Sequence, residues 1–117
     1  MIDVVIVDDE IWVTKLIERI IDWNAYGFRI VKVYNDGFEA LEGIKVLKPE
    51  LVLTDIRMPG ITGLDIIQEI SAESKDIFFA IISGYSDFEY AKSALTYGAV
   101  GYLLKPIDQQ ELIKILK

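Results

Sequence analysis

Residues 4–9 read Val-Val-Ile-Val-Asp-Asp, four β-branched apolar residues followed at once by two carboxylates. A short continuous apolar run of this kind is typical of a strand that is buried on both faces. Three later segments share this form, because each is a short apolar run that ends in an ionisable or hydroxyl residue. They are residues 51–55, 78–83 and 101–105, which end in Asp55, Ser83 and Lys105. The pattern predicts parallel strands in the interior of a sheet.

Between the strands, apolar residues recur three or four positions apart, which predicts amphipathic helices. The residues expected to face inward are Val13, Leu16, Ile17, Ile20 and Ile21, then Phe38, Leu41 and Ile44, then Leu64, Ile67 and Ile70, then Phe88, Ala91 and Leu95, and finally Leu112, Ile113 and Leu116. Helix starts are predicted at Thr62, at Asp108, and at Ser86 with Glu89 three residues later. Gly98 is the predicted end of the fourth helix.

A further strand is predicted over residues 28–34, where Arg29 and Lys32 interrupt the apolar pattern as an edge strand permits. Five strand–helix units joined by right-handed crossovers form a doubly wound parallel sheet with helices on both faces. The expected fold is therefore α/β and flavodoxin-like, (βα)5, with strand order 2-1-3-4-5. We expect residues 1–117 to form one domain. Because the last helix runs to Lys117 without a stop signal, we also expect the natural protein to continue beyond it.

Composition narrows the possible chemistry. The chain has no Cys and no His, which excludes disulfides, thiolate or imidazole ligands and histidine bases. Its net charge of −7 disfavours nucleic-acid binding by this domain alone. No apolar run approaches the length needed to cross a bilayer and no signal peptide is visible, so we expect a cytoplasmic protein that does not bind membranes.

The carboxyl ends of the predicted strands hold the candidate site, because ligands of doubly wound sheets bind where the strand order reverses. The polar residues there are Asp8 and Asp9 after the first strand, Asp55 after the third, Ser83 after the fourth and Lys105 after the fifth. The second strand contributes no obvious polar group. Converging carboxylates need a counter-charge, and Mg²⁺ fits because it prefers oxygen ligands and needs only two or three carboxylates. One carboxylate can then attack phosphorus while a lysine and a hydroxyl bind the phosphoryl oxygens.

In these features the chain resembles the receiver domains of two-component response regulators over its full length. The resemblance rests on the order and spacing of the acidic pair, the later aspartate, the Met-Pro-Gly loop at residues 58–60, the hydroxyl, Tyr102 and the Lys105-Pro106 pair. It implies that Asp55 accepts a phosphoryl group from the phosphohistidine of a sensor histidine kinase. It also implies that the domain is not an enzyme in the usual sense, because it catalyses only its own phosphorylation and dephosphorylation.

The resemblance also assigns metal ligands. Asp9 and Asp55 would bind Mg²⁺ directly, together with the backbone carbonyl of Arg57. Asp8 would act mainly through a metal-bound water. A lone acidic pair is more often a solvated loop or a helix cap, so this assignment depends on Asp55 and Lys105 lying nearby.

The remaining roles implied by the resemblance concern binding and switching. Lys105 would pair with the phosphoryl oxygens, and its peptide bond to Pro106 is expected to be cis. Ser83 and Tyr102 would form a switch, in which the hydroxyl moves towards the phosphate and the ring turns inward behind it. Two alternatives stay open here, namely that Ser83 only caps a loop and that Tyr102 is a core residue.

The stretch from Ser83 to Lys105, and Asp22-Trp23, resemble receivers fused to AraC-type DNA-binding domains. In that case a helix-turn-helix output module follows the receiver, and phosphorylation controls it through the face of the fourth helix, fifth strand and fifth helix. Homodimers could form through the same face.

Two rival functions remain. One is a degenerate, non-phosphorylated interaction module. The other is a haloacid-dehalogenase-type phosphatase, which would need a second aspartate where this chain has Glu10. Trp12, Trp23 and Phe38 are interpreted as packing residues rather than as parts of a binding site.

Overall fold

The computed structural model of the chain describes residues 1–74, 76–84 and 88–116. Within these residues, strands and helices alternate: β1 (Ile2–Val7), α1 (Ile11–Ile20), β2 (Phe28–Tyr34), α2 (Gly37–Leu47), β3 (Leu51–Asp55), α3 (Gly63–Glu73), β4 (Phe78–Ser83), α4 (Phe88–Thr96), β5 (Gly101–Leu104) and α5 (Gln109–Leu116). A 3₁₀ turn, Trp23–Tyr26, precedes β2. The strands form one parallel sheet in the order β2-β1-β3-β4-β5, which confirms the predicted topology.

The sheet separates two apolar layers. Val5 and Val7 of β1 face the layer that contains residues of α2, α3 and α4, whereas Val4 and Ile6 face the layer that contains residues of α1 and α5. All four side chains are fully buried. Alternate strand residues point to opposite faces, so a strand covered on both sides must be apolar at every position. This explains why the opening run of the sequence is apolar without interruption.

The edge position of β2 is also confirmed. Arg29 and Lys32 are exposed on this strand, and the Arg29 guanidinium pairs with Asp3 at 2.7 Å. Charged side chains on an edge strand discourage pairing with another chain. None of the described helices is both long and apolar enough to cross a membrane.

Several apolar side chains that were expected to face the core are instead exposed. Leu16 is 39% exposed, Phe38 56% and Leu95 41%. In α1 the buried face is centred on Val13 and Ile17, so Leu16 lies at its margin. Phe38 lies near the start of α2, and its ring rests against the backbone of Gly60 in the loop after β3.

The two tryptophans behave differently. Trp23 is buried, as expected, and its indole N–H donates to the carbonyl of Ile17 at 3.0 Å. The packing role expected of Trp12 is wrong, because 64% of this residue is exposed. Trp12 lies on the solvent side of the first turn of α1, where its indole N–H donates to Glu10 at 3.0 Å.

Most of the predicted helix ends are present. Thr62 and Asp65 form a reciprocal capping box at the start of α3. Gly98 follows α4 with a φ of +105°, a conformation that costs a glycine little. Asp36, which the sequence indicates only as part of a turn, caps α2 by accepting from the N–H of Glu39. The predicted cap at Ser86 lies outside the described residues.

Gly63 lies where the start of α3 packs against the end of β3. It is the first residue of α3, directly after the predicted cap at Thr62, and its N–H donates to the carbonyl of Ile56 at 2.8 Å. A Cβ atom at this position would collide with the carbonyl oxygen of Asp55. Because the obstacle is backbone, no side-chain rotation can relieve it. Gly63 therefore lets α3 approach the strand end that carries Asp55.

We predict that Gly63→Ala lowers the free energy of unfolding by about 2 kcal/mol, as overpacking against fixed backbone does. Gly101→Ala is the control, because its new methyl would meet only the side chain of Ile115, at 3.3 Å, and should cost about 0.5 kcal/mol or less. Urea unfolding of both variants measures the difference. Equal stabilities for the two variants would show that α3 has room to move away.

Candidate functional site

The site is formed by residues at the carboxyl ends of adjacent strands. Asp55 is the last residue of β3 and Ser83 the last of β4, while Asp8 directly follows β1 and Lys105 directly follows β5. The N–H of Lys105 donates to the carbonyl of Ser83 at 2.8 Å, which extends the β4–β5 pairing to this end. Asp8, Asp55 and Ser83 are almost completely buried. Since β1, β3, β4 and β5 are neighbours in the sheet, these residues meet at one edge.

The ammonium group of Lys105 lies among three carboxylates. Its Nζ is 3.4 Å from Asp8 Oδ2, 3.4 Å from Asp55 Oδ2 and 3.6 Å from Glu10 Oε1. The other oxygens of both aspartates are held by backbone. Asp8 Oδ1 accepts from the N–H of Glu10, and Asp55 Oδ1 accepts from the N–H of Ile56, each at 2.9 Å. Both buried aspartates therefore present the Oδ2 atom to the same small space.

Burial dominates the electrostatics of this space. It raises the pKa of Asp55 to about 7, and the charge of Asp8 adds to this rise while Lys105 opposes it. Burial also raises the pKa of Asp8, against the N–H of Glu10 and the charge of Lys105. For Lys105, burial alone would lower the pKa, but the carboxylates of Asp55 and Asp8 outweigh it and raise the pKa. The lysine is thus protonated, yet its single positive charge does not balance the negative charges of the carboxylates around it.

Two buried polar atoms have no hydrogen-bond partner among the described residues. They are Asp8 Oδ2 and Ser83 Oγ. Leaving a buried polar atom without a partner costs about 1–3 kcal/mol, so each needs a reason. A hard divalent cation would satisfy the carboxylate oxygen, and an oxyanion would accept from the serine hydroxyl. The donor set, oxygen atoms with excess negative charge, suits Mg²⁺.

Asp9, Glu10 and Asp8 form the acidic side of the site. One carboxylate oxygen from each lies within 4.8 Å of the others. Asp9 and Glu10 are exposed, so a cation can reach them from solvent. Glu10 was not recognised as a site residue from the sequence, because its contact with Lys105 depends on how α1 begins.

Two other expected site residues belong to β5 and to the loop that follows β3. Arg57 is exposed in the loop after β3, and Tyr102 is half-buried on β5, packed against the layer that contains α2, α3 and α4. The peptide bond between Lys105 and Pro106 is cis, as expected. Residues 85–87, part of the segment that resembled AraC-type receivers, lie outside the described residues.

The structure shows a polar group after β2, where the sequence indicated no obvious one. Asn35 follows this strand directly, and its side-chain Nδ2 donates to the backbone carbonyl of Asp8 at 2.8 Å. One signal in the sequence could have indicated this contact, namely the position of a polar residue directly after a strand. The sequence indicates Asn35 only as the start of a turn, which hides its contact with a neighbouring strand.

Comparisons with known proteins agree with this geometry. A family model described as the response regulator receiver domain matches residues 4–117. The transcriptional regulatory protein YesN of Bacillus subtilis is 38% identical over 117 residues, which is 100% of this chain and 32% of YesN. HptR of Staphylococcus aureus, also a transcriptional regulatory protein, is 42% identical over 116 residues, which is 99% of this chain and 45% of HptR. The chain thus spans less than half the length of these two curated relatives.

A solved structure matches the fold closely. The REC domain of AraT, a response regulator from Geobacillus stearothermophilus, superposes with a TM-score of 0.92 at 32% identity. The alignment covers 98% of this chain and 89% of that one. The similarity therefore extends over the whole sheet and both helical layers.

We predict that Asp55→Asn raises stability in the absence of divalent cations, and that the gain depends on pH. The folded-state pKa of Asp55, about 7, lies above the unfolded value of 3.8. As pH rises from about 4 to 7 the unfolded state therefore loses this proton first, and the wild type loses stability. The amide of the variant cannot titrate, so the gap should grow to about 4 kcal/mol as the pH passes 7 and then stay constant.

Urea unfolding in EDTA at pH 5 and pH 8 measures this gap. A difference between variant and wild type that is the same at both pH values would contradict the elevated pKa of Asp55.

Proposed function

We propose, from the premise that this chain belongs to the family of response regulator receiver domains, that Asp55 is its site of phosphorylation. The observation that carries the proposal is the position of the Asp55 carboxylate. It is buried at a strand end, with Oδ1 held by a backbone N–H and Oδ2 facing the Lys105 ammonium at 3.4 Å. The phosphoryl donor is a phosphohistidine on a sensor histidine kinase. Apart from this self-modification, the domain does not turn over substrates.

The proposed reaction is a phosphoryl transfer. A carboxylate oxygen of Asp55 forms a bond to phosphorus while the bond from phosphorus to the donor nitrogen breaks, and the donor histidine keeps the electron pair. Lys105 stabilises the negative charge on the phosphoryl oxygens. Ser83 Oγ, which has no partner among the described residues, donates a hydrogen bond to one of them.

Receiver domains of this family depend on Mg²⁺ in general, and we propose that this one does too. Asp9, Asp55 and the backbone carbonyl of Arg57 would hold the ion directly, and Asp8 would act mainly through a metal-bound water. When bound, the ion supplies positive charge that the site lacks and that the phosphoryl oxygens require. It also relieves the repulsion between the buried carboxylates. Two observations support this assignment: Asp8 Oδ2 accepts no hydrogen bond from the described residues beyond its ion pair with Lys105, and the pKa of Asp55 is raised.

The proposed output is a change of surface. Ser83 moves towards the phosphoryl group and Tyr102, now half-buried, turns inward behind it. The face formed by α4, β5 and α5 changes with them and mediates dimerisation or control of a transcription-regulating domain. Two relatives, YesN and HptR, are transcriptional regulatory proteins, which supports an output of this kind in the whole protein. An AraC-type DNA-binding module is our proposal for that domain.

We predict that acetyl phosphate and Mg²⁺ add one phosphoryl group to the wild type, that Asp55→Asn abolishes the addition and that EDTA prevents it. Intact-protein mass spectrometry measures the product. Asp22→Asn serves as the matched control. It removes an exposed carboxylate that precedes β2, whereas the site lies at the carboxyl ends of the strands. A wild type that never gains the group would be a degenerate receiver, and sustained hydrolysis of phosphate esters would indicate a phosphatase.

We further predict that Lys105→Met slows phosphorylation on the order of 100-fold, as loss of one transition-state donor typically does. Its Mg²⁺ affinity should be unchanged or higher, because a competing positive charge has left the carboxylates. Lys114→Met removes an exposed lysine of α5 as the control. Phosphorylation time courses and Mg²⁺ titrations separate the two effects. A parallel loss of both would mean that Lys105 only maintains the fold of the site.

A further inference from the structure

Asn35 directly follows the edge strand β2 and lies beside the acidic loop of residues 8–10. The pairing of β1 with β2 continues one residue past β1, because the N–H of Asp8 donates to the carbonyl of Tyr34 at 3.1 Å. In a longer parallel ladder, the carbonyl of Asp8 would accept from a backbone N–H of the second strand. Here the side chain of Asn35 takes that place at 2.8 Å. The backbone is thereby free to turn, and Asp36 caps α2.

The same nitrogen has a second partner. Asn35 Nδ2 lies 3.3 Å from Oγ1 of Thr14, a buried residue of α1. The Thr14 hydroxyl gives its only proton to the carbonyl of Ile11 at 2.8 Å. Its oxygen must therefore accept from Asn35. Both protons of the amide are thus used, one on the end of β1 and one on α1, across the loop that joins them.

In this arrangement all but one of the hydrogen-bonding groups of Asp8 have a hydrogen-bond partner. Its N–H is bonded to Tyr34, its carbonyl to Asn35 and its Oδ1 to the N–H of Glu10. The remaining atom, Oδ2, faces Lys105. Because the Asp8 carbonyl belongs to the peptide group that links Asp8 to Asp9, its bond to Asn35 also sets the direction in which Asp9 leaves the sheet.

We infer that Asn35 is a positioning residue for Mg²⁺, which holds the Asp8–Asp9 peptide in the orientation that the ion requires. The inference rests on the proposed function, since it takes these acids as the ligands. Asn35 does not touch the ion. Groups that orient metal ligands through hydrogen bonds typically change metal affinity 10- to 100-fold when removed. A preorganised loop also avoids the entropic cost of ordering its acids on binding.

The test is a calorimetric titration of Mg²⁺ into the wild type and three variants. Asn35→Ala should weaken binding about 10-fold, the lower part of the range for such groups. Thr14→Val removes the second acceptor but leaves the bond to Asp8, so its loss should be smaller. Asp36→Ala, the neighbouring control, removes the α2 cap and should lower the unfolding temperature by about 4 °C without changing the Mg²⁺ affinity.

A second readout needs no metal. In EDTA, the N–H of Glu10 should exchange with solvent faster in Asn35→Ala than in wild type or in Asp36→Ala, because its acceptor on Asp8 is less firmly held. Exchange in β3 should be the same in all of them.

The outcomes are separable. A wild type that does not bind Mg²⁺ would overturn the proposed function and this inference together. A wild type that binds Mg²⁺, with Asn35→Ala binding equally well, would overturn the inference alone. Equal loss of affinity in Asn35→Ala and Asp36→Ala would also overturn it, because general destabilisation would then explain both.

Discussion

Two buried carboxylates, those of Asp8 and Asp55, share the ammonium group of Lys105 at the same distance of 3.4 Å. Burial disfavours the ionised form of both acids, and the single charge of Lys105 opposes this effect only in part. Burial, with the charge of Asp8 added to it, raises the pKa of Asp55 to about 7. A bound cation, or protonation of one acid, would relieve the repulsion between the two carboxylates. Taking charges out of water is costly, so the surrounding structure must hold them in place.

The parallel sheet provides that support. Neighbouring strands are held in register by continuous backbone hydrogen bonding. The residue at each strand end therefore has a fixed position relative to the residues at the neighbouring strand ends. The backbone continues this control beyond the strands. N–H groups of Glu10 and Ile56 orient the two aspartates, and the N–H of Lys105 is bonded to the carbonyl of Ser83. The strands and their backbone hydrogen bonds therefore position Asp8, Asp55, Ser83 and Lys105. Asp9 and Arg57 instead lie in exposed loops, where a ligand from solvent can reach them.

Much of this was predictable from the sequence, and the reason is periodicity. Runs such as residues 4–7 and 51–53 are typical of strands buried on both faces, and their order along the chain then indicates which polar residues meet. Contacts that depend on the exact path of a loop were not predictable. Asn35 looked like a turn residue, since nothing in the sequence indicates that its amide reaches a neighbouring strand. The exposure of Trp12 and Phe38 was missed for a similar reason: whether a ring near the start of a helix is covered depends on which face the helix turns to the sheet.

The two tryptophans have different surroundings, which makes the domain spectroscopically informative. Trp23 is enclosed, with its ring at right angles to that of Phe28, so its emission reports whether the protein is folded. Trp12 stands in solvent, joined through Glu10 to the lysine of the site. Any event that draws Glu10 or Lys105 away changes the polar environment of that indole. The chain thus contains both an internal reference and an optical probe beside Lys105, without an added dye.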